Sequence, residues 1–84
     1  MKKITVRYFA SIREAVGQGS EVLDTSATTL GALRDELLAR GGAYASALAR
    51  GRAVRMALDQ VLSDEAAALR DGAEVAFFPP VTGG

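Results

Sequence analysis

The chain has 84 residues, enough for one small domain, and 49% of them are apolar, enough for a modest core. Ten acidic and ten basic side chains cancel, which argues against a surface devoted to nucleic acid or another polyanion. Cysteine and histidine are both missing, so there is no disulfide, thiol nucleophile, imidazole base or zinc ligand of either kind; no metal site and no bound cofactor are expected.

The opening Met1-Lys2-Lys3-Ile4 begins like a signal peptide, but Thr5 and Arg7 break the apolar run and no stretch reaches membrane-spanning length. A cytoplasmic location without a membrane partner is expected. Residues 3–9 alternate, with Ile4, Val6 and Tyr8 on one face and Thr5 and Arg7 on the other, the pattern of a half-buried strand. Residues 10–16 read as a short helix stopping at Gly17, with Ile12, Ala15 and Val16 on its apolar side. After the turn Gly17-Gln18-Gly19, Glu21-Val22-Leu23 is a short strand, near enough in sequence to pair antiparallel with the first.

The clearest helix follows Thr28-Thr29. Leu30, Leu33, Leu37 and Leu38 form one apolar stripe; Thr29 is placed to cap its start, and Gly41-Gly42, after Arg40, to stop it. Residues 44–48 add a further helical turn before Gly51. Residues 54–58 form a third strand, with Val54, Met56 and Leu58 on one face and Arg55 on the other. Asp59-Gln60 turns it into a very short strand at Val61-Leu62. Leu69-Arg70-Asp71-Gly72 is a tight turn in which Gly72 takes a positive φ. Residues 74–78 are the last strand, ended by Pro79-Pro80, which cannot donate to a ladder. This order predicts an α+β domain over residues 1–78, a mixed sheet packed against one main helix, followed by an extended tail over residues 79–84.

Within the last strand, Val75 and Phe77 are expected in the core and Phe78 at the exposed root of the tail; packing of Phe78 under a loop is the other reading. Six residues reach at most about 20 Å, and Pro79-Pro80 favours an extended, stiff start. Stiffness lowers the entropy lost on threading, while Gly83-Gly84 keeps the tip slender. The reacting group is then the terminal carboxylate of Gly84, with Gly83 giving access; a frayed end is the plainer alternative. A carboxylate becomes an acyl donor only after activation, and no Walker-type phosphate loop is present, so another enzyme must supply that step.

The ending Phe77-Phe78-Pro79-Pro80-Val81-Thr82-Gly83-Gly84, the Leu69-Arg70-Asp71-Gly72 turn before it, the opening Ile4-Thr5-Val6-Arg7-Tyr8-Phe9-Ala10 and the Leu30-x-x-Leu33 helix resemble the small, sulfur-carrier subunits of molybdopterin synthase. The likeness runs over the whole chain. It implies a ubiquitin-like β-grasp, in which the first and last strands lie parallel. It also implies a partner adenylyltransferase, related to ubiquitin-activating enzymes, that uses ATP on Gly84, and a sulfurtransferase that converts the terminus to a thiocarboxylate. The large catalytic subunit would then receive the tail and pass its sulfur to cyclic pyranopterin monophosphate, within a heterotetramer. Phe78, Pro79, Pro80, Val81 and Thr82 would line the partner's tunnel, and Arg13 would face the activating enzyme unless it is simply solvated. Asp59 stands where the family pattern expects asparagine. Arg50, Arg52 and Arg55 form a basic cluster that would meet an acidic partner or be a solvated face. A ubiquitin-like modifier joined to lysines through Gly84, a sulfur carrier for another pathway and a plain interaction domain are the alternatives.

Overall fold

The β-branched and aromatic alternation at the start of the chain does form a strand, β1 (Lys2–Tyr8), with Ile4, Val6 and Tyr8 buried. The computed structural model describes residues 1–80. After a short helix, α1 (Ala10–Val16), the chain returns as β2 (Ser20–Thr25), antiparallel to β1 with Ile4 opposite Leu23. Two further helices, α2 (Leu30–Leu38) and α3 (Gly42–Ala47), precede the hairpin of β3 (Arg55–Leu58) and β4 (Val61–Ser63), and β5 (Glu74–Phe78) is the last strand. The sheet order is β2-β1-β5-β3-β4. β5 therefore lies in the centre, parallel to β1 and antiparallel to β3, which makes the sheet mixed as expected of a β-grasp.

One face of the sheet is covered. Ile4, Val6, Tyr8, Val75, Phe77 and Met56 project from it onto Leu30, Leu33 and Leu37 of α2, with Ile12 and Leu48 closing the tail end. The leucine stripe is thus the side of α2 that meets the sheet, and the Thr29 hydroxyl accepts from the Ala32 N–H at its start. Ala15, expected on the apolar side of α1, is exposed; only Ile12 of that helix is buried.

Two details depart from the sequence pattern. α2 stops at Leu38, before the glycines; Gly41 and Gly42, at φ 73° and 54°, instead reverse the chain into α3. The β3–β4 turn uses Asp59 and Gln60, both at positive φ, although neither is glycine. The strain is offset by two bonds to β5: the Asp59 N–H donates to the Glu74 carbonyl at 2.8 Å, and Asp59 Oδ1 accepts from the Glu74 N–H at 2.9 Å. Asp59 thus ties the hairpin to the central strand through both its backbone and its side chain.

Polar groups then fix the helices. Arg34, on α2, is only 4% exposed. Its guanidinium donates to the carbonyls of Leu48 (2.8 Å) and Ala49 (3.0 Å) and reaches Glu65 at 3.3 Å. On the other side, the Glu21 carboxylate of β2 accepts from the hydroxyls of Tyr8 (2.8 Å) and Tyr44 (2.9 Å), from Gln18 and from Arg40. Burial pushes the Glu21 carboxyl up, but the bonds from Arg40, Tyr8 and Tyr44 outweigh it and hold the group below its ordinary value of 4.5. The Tyr8 phenol moves the opposite way, raised first by burial and then by Glu21.

Two outcomes follow. Arg34→Met, which keeps the stem but strands two carbonyls, is expected to lower stability by about 2–4 kcal/mol in urea unfolding. Because the folded Glu21 is the stronger acid, its contribution is complete above pH 4.5 and lost as pH falls through its lower folded value. Glu21→Gln should therefore unfold at lower urea than the parent at neutral pH, with the gap closing in acid; a constant gap across that titration would exclude the charge as the cause.

Candidate functional site

The site is built where β5 ends. β1 and β5 run together until Tyr8 opposes Phe77, whose rings stack at 6.2 Å between centroids. One last bond, from the Phe9 N–H to the Phe77 carbonyl at 3.1 Å, closes the ladder. Ala10, at φ 51°, then turns the first strand aside into α1, while Pro79 and Pro80 follow β5 outside any strand. The lack of an N–H at both prolines ends the pairing. Pro79 lies against a cleft of about 230 Å³ whose walls include Ser11 and Ala15 of α1, Ala47 of α3 and Arg52.

The uncovered face of the sheet reaches the same rim. Strand alternation puts Arg7, Ala76, Ala57, Phe78 and Arg55 on that face, and the register sets Arg55 directly opposite Phe78. Phe9 continues the outward series of β1; it is 39% exposed and carries the Arg7 guanidinium 5.2 Å above its ring. Leu62 of β4, 63% exposed, extends the apolar surface outward. Phe78 itself is half-buried, between the two placements considered from sequence, because the neighbouring strands flank it on both sides while no helix covers this face.

Arg13 is exposed in the last turn of α1 and lies across Gly19; a Cβ at Gly19 would meet its Nε at 3.2 Å. Arg13 and Glu14 line a separate depression, away from Pro79. The basic cluster read from the sequence is not one cluster. Arg50 pairs with Asp35 and Glu65, and those bonds hold its guanidinium above the ordinary arginine range. Arg52 donates from Nε to the Ser46 carbonyl at 3.2 Å on the helical side, and Arg55 stands on the uncovered sheet face. Val81, Thr82, Gly83 and Gly84 lie outside the described residues.

Sequence reading did not single out Phe9, Arg7 or Leu62. Phe9 had a usable signal, since it continues the odd-numbered outward series of β1 on the same face as Phe78. A depression of about 690 Å³ lies under β4 and includes Arg34, Met56, Leu62 and Glu65. Its buried cation is already committed to backbone carbonyls, and no nucleophile–base pair accompanies it. Among the described residues, no three acidic side chains gather as a metal-binding group, and no helix is long and apolar enough to cross a membrane. What the arrangement offers is a stiff exit framed by aromatic and arginine side chains.

The family model described as the ThiS family matches residues 6–84. The chain is 42% identical over 81 residues to the molybdopterin synthase sulfur carrier subunit of Escherichia coli strain K12, and 38% identical over 81 residues to that of Haemophilus influenzae; each match covers 96% of this chain and 99% of the relative. Among solved structures, a complex of subunits 1 and 2 of the molybdopterin-converting factor from Helicobacter pylori 26695 contains a chain 28% identical to this one, with a TM-score of 0.68 over 98% of this chain and 99% of that one. With a β-grasp fold, a full-length family match and near-complete coverage of these sulfur carrier subunits, the chain belongs to the ThiS family.

Proposed function

We propose that this chain carries sulfur to a larger catalytic partner in the assembly of the molybdopterin dithiolene, with the Gly84 carboxylate as the carrying group. A separate adenylyltransferase joins the carboxylate to the α-phosphate of ATP, with pyrophosphate leaving. A sulfurtransferase delivers sulfide to the acyl carbon, AMP leaves, and a thiocarboxylate remains. The tail then enters the large subunit, where the sulfur bonds to a carbon of cyclic pyranopterin monophosphate as that carbon's bond to oxygen breaks, the oxygen leaving as water or with the phosphate. Water cleaves the acyl–sulfur bond, so the pterin keeps the sulfur and Gly84 returns as a carboxylate. Two such transfers supply the two sulfurs, in a heterotetramer of two small and two large subunits.

The observation that carries this reading is the exit of β5: a central, doubly paired strand that passes directly into Pro79-Pro80 at the rim of the domain. A strand paired along both edges resists being pulled, so force applied to the tail during threading is borne by the sheet. The names of the full-length relatives support the same role, and the subunit complex of the Helicobacter pylori protein supports a large-subunit partner. The chain itself then needs no general base or nucleophilic side chain, because adenylation, sulfuration and transfer are performed by partners. ATP is the activating enzyme's substrate and binds there.

The intact mass of the chain after incubation with its activating enzyme, ATP and a sulfur source is expected to show exchange of one oxygen for one sulfur, located at Gly84 by fragmentation. Deleting Gly84 should abolish both that exchange and dithiolene formation. Dithiolene formation by the deletion variant would end the carrier reading, and Gly-Gly remnants on lysines of other proteins would support the modifier reading in its place. For the docking surface, Phe78→Ala is expected to weaken binding to the large subunit by about ten-fold or more while leaving the thermal unfolding midpoint little changed, since the side chain is outside the core.

A further inference from the structure

The chain has no net charge, yet its charges are not spread evenly. Arg34, Arg40 and Arg50 are each joined to carboxylates of the same domain. Asp59, Asp71 and Glu74 lie at the end of the sheet where β5 begins, Asp59 on the Glu74 N–H and Asp71 on the Lys3 N–H, and Lys2, Lys3 and Arg70 at the same end offset them. Arg52 and Arg55 stand at the opposite end, where β5 finishes, and Arg7 lies midway, beside Ala76. Among the described residues, Arg52 and Arg55 have no carboxylate partner, and Arg7 meets only Glu74, at 3.9 Å. Arg13, nearby on α1, shares its depression with Glu14.

These three arginines surround the tail without converging. Arg7 and Arg55 flank β5 on the uncovered sheet face, one beside Ala76 and the other beside Phe78. Arg52 is on the helical side, in the wall of the cleft that holds Pro79, steadied by its bond to the Ser46 carbonyl. Three cations on opposite sides of a strand cannot grip one phosphate. They can face a ring of carboxylates around an opening. Nucleic acid fits poorly, since three separated cations on opposite sides of a strand make no continuous track for a phosphate backbone.

We propose that Arg7, Arg52 and Arg55 form a positive collar at the tail root that steers the chain onto an acidic rim around the tail-accepting cleft of the large subunit. This rests on the carrier reading for the identity of the partner, but concerns the approach and not the sulfur chemistry. Charges of this kind act over about 8–10 Å at physiological salt, so they govern encounter before the aromatic contacts form. Three arginines placed on different sides of the tail root orient the incoming tail as well as attract it.

The test is stopped-flow association of the full chain with the purified large subunit, at low and at several-fold higher salt. Reversal of two exposed charges, Arg52→Glu with Arg55→Glu, is expected to slow association by about ten-fold or more at low salt and to flatten the salt dependence, with dissociation little changed. The lysine pair R52K/R55K should keep the rate, and Arg70→Glu, at the other end of the sheet, should leave it unaltered. Equal rates for the parent and the charge-reversed chain, or equal losses in the lysine and glutamate pairs, would overturn the collar. The carrier reading would survive either result, provided the parent binds. Failure of the parent to bind the large subunit would remove both ideas together. Salt-sensitive binding of a short single-stranded DNA by the parent, without salt sensitivity toward the large subunit, would reassign the rim to polyanions.

Discussion

Parallel pairing of β1 with β5 is the constraint on which the molecule depends. It places the two chain ends of the fold side by side in the middle of the sheet, with Val6 against Val75 and Tyr8 against Phe77, all buried. Parallel neighbours require a crossover, and everything between them, α2 included, is that crossover. Burial of Ile4, Val6, Tyr8, Val75 and Phe77 of these two strands against Leu30, Leu33 and Leu37 forms the centre of the hydrophobic core. Because β5 is held on both sides, its far end is the most rigid point from which a tail can depart.

The charged and hydroxylated side chains divide between two tasks. Glu21, Tyr8, Tyr44 and Arg40 bind β2 to the α2–α3 corner, and Arg34 bridges α2 to the end of α3. In these networks each group is matched to a partner, and no buried side-chain polar atom among the described residues is left without one. Such groups are poor candidates for catalysis, since moving a proton or a nucleophile would dismantle the fold that aims the tail. The rim at the tail is the opposite case: Phe9, Phe78, Arg52 and Arg55 contribute little to the core and remain accessible. Aromatic and arginine side chains around a rigid exit are the composition from which protein interfaces draw most of their binding energy.

Element order, the antiparallel start, the leucine stripe and the final strand were legible in the sequence because each carries a strong local period or a turn residue with a single physical meaning. Arg34 was not legible: an arginine one place after Leu33 reads as surface, and only the approach of the Leu48 and Ala49 carbonyls makes burial favourable. Glu21 was missed for the same reason, since its partners come from four separate segments. Arg50, Arg52 and Arg55 look alike in sequence, yet the turn after α3, the loop that follows and strand β3 send them to three different surroundings. The site's aromatic half could be read by alternation, whereas its arginine half required the sheet register.

Register also ties the core to the reach of the tail. Side chains on a strand alternate, so burial of Phe77 obliges Phe78 to face the other way. A slip of β5 by one residue would bring Phe78 under α2, expose Phe77, and draw Pro79 in or out by about 3.3 Å. That slip is opposed at both ends of the strand: Asp59 holds the Glu74 backbone at its start, and the Tyr8–Phe77 stack with the Phe9-to-Phe77 bond holds its finish. A carrier that must deliver one terminal atom to a fixed depth in a partner needs such a ruler more than it needs a large core. The double aromatic before the double proline follows the same rule, with Phe77 locking the register and Phe78 turned outward by that lock.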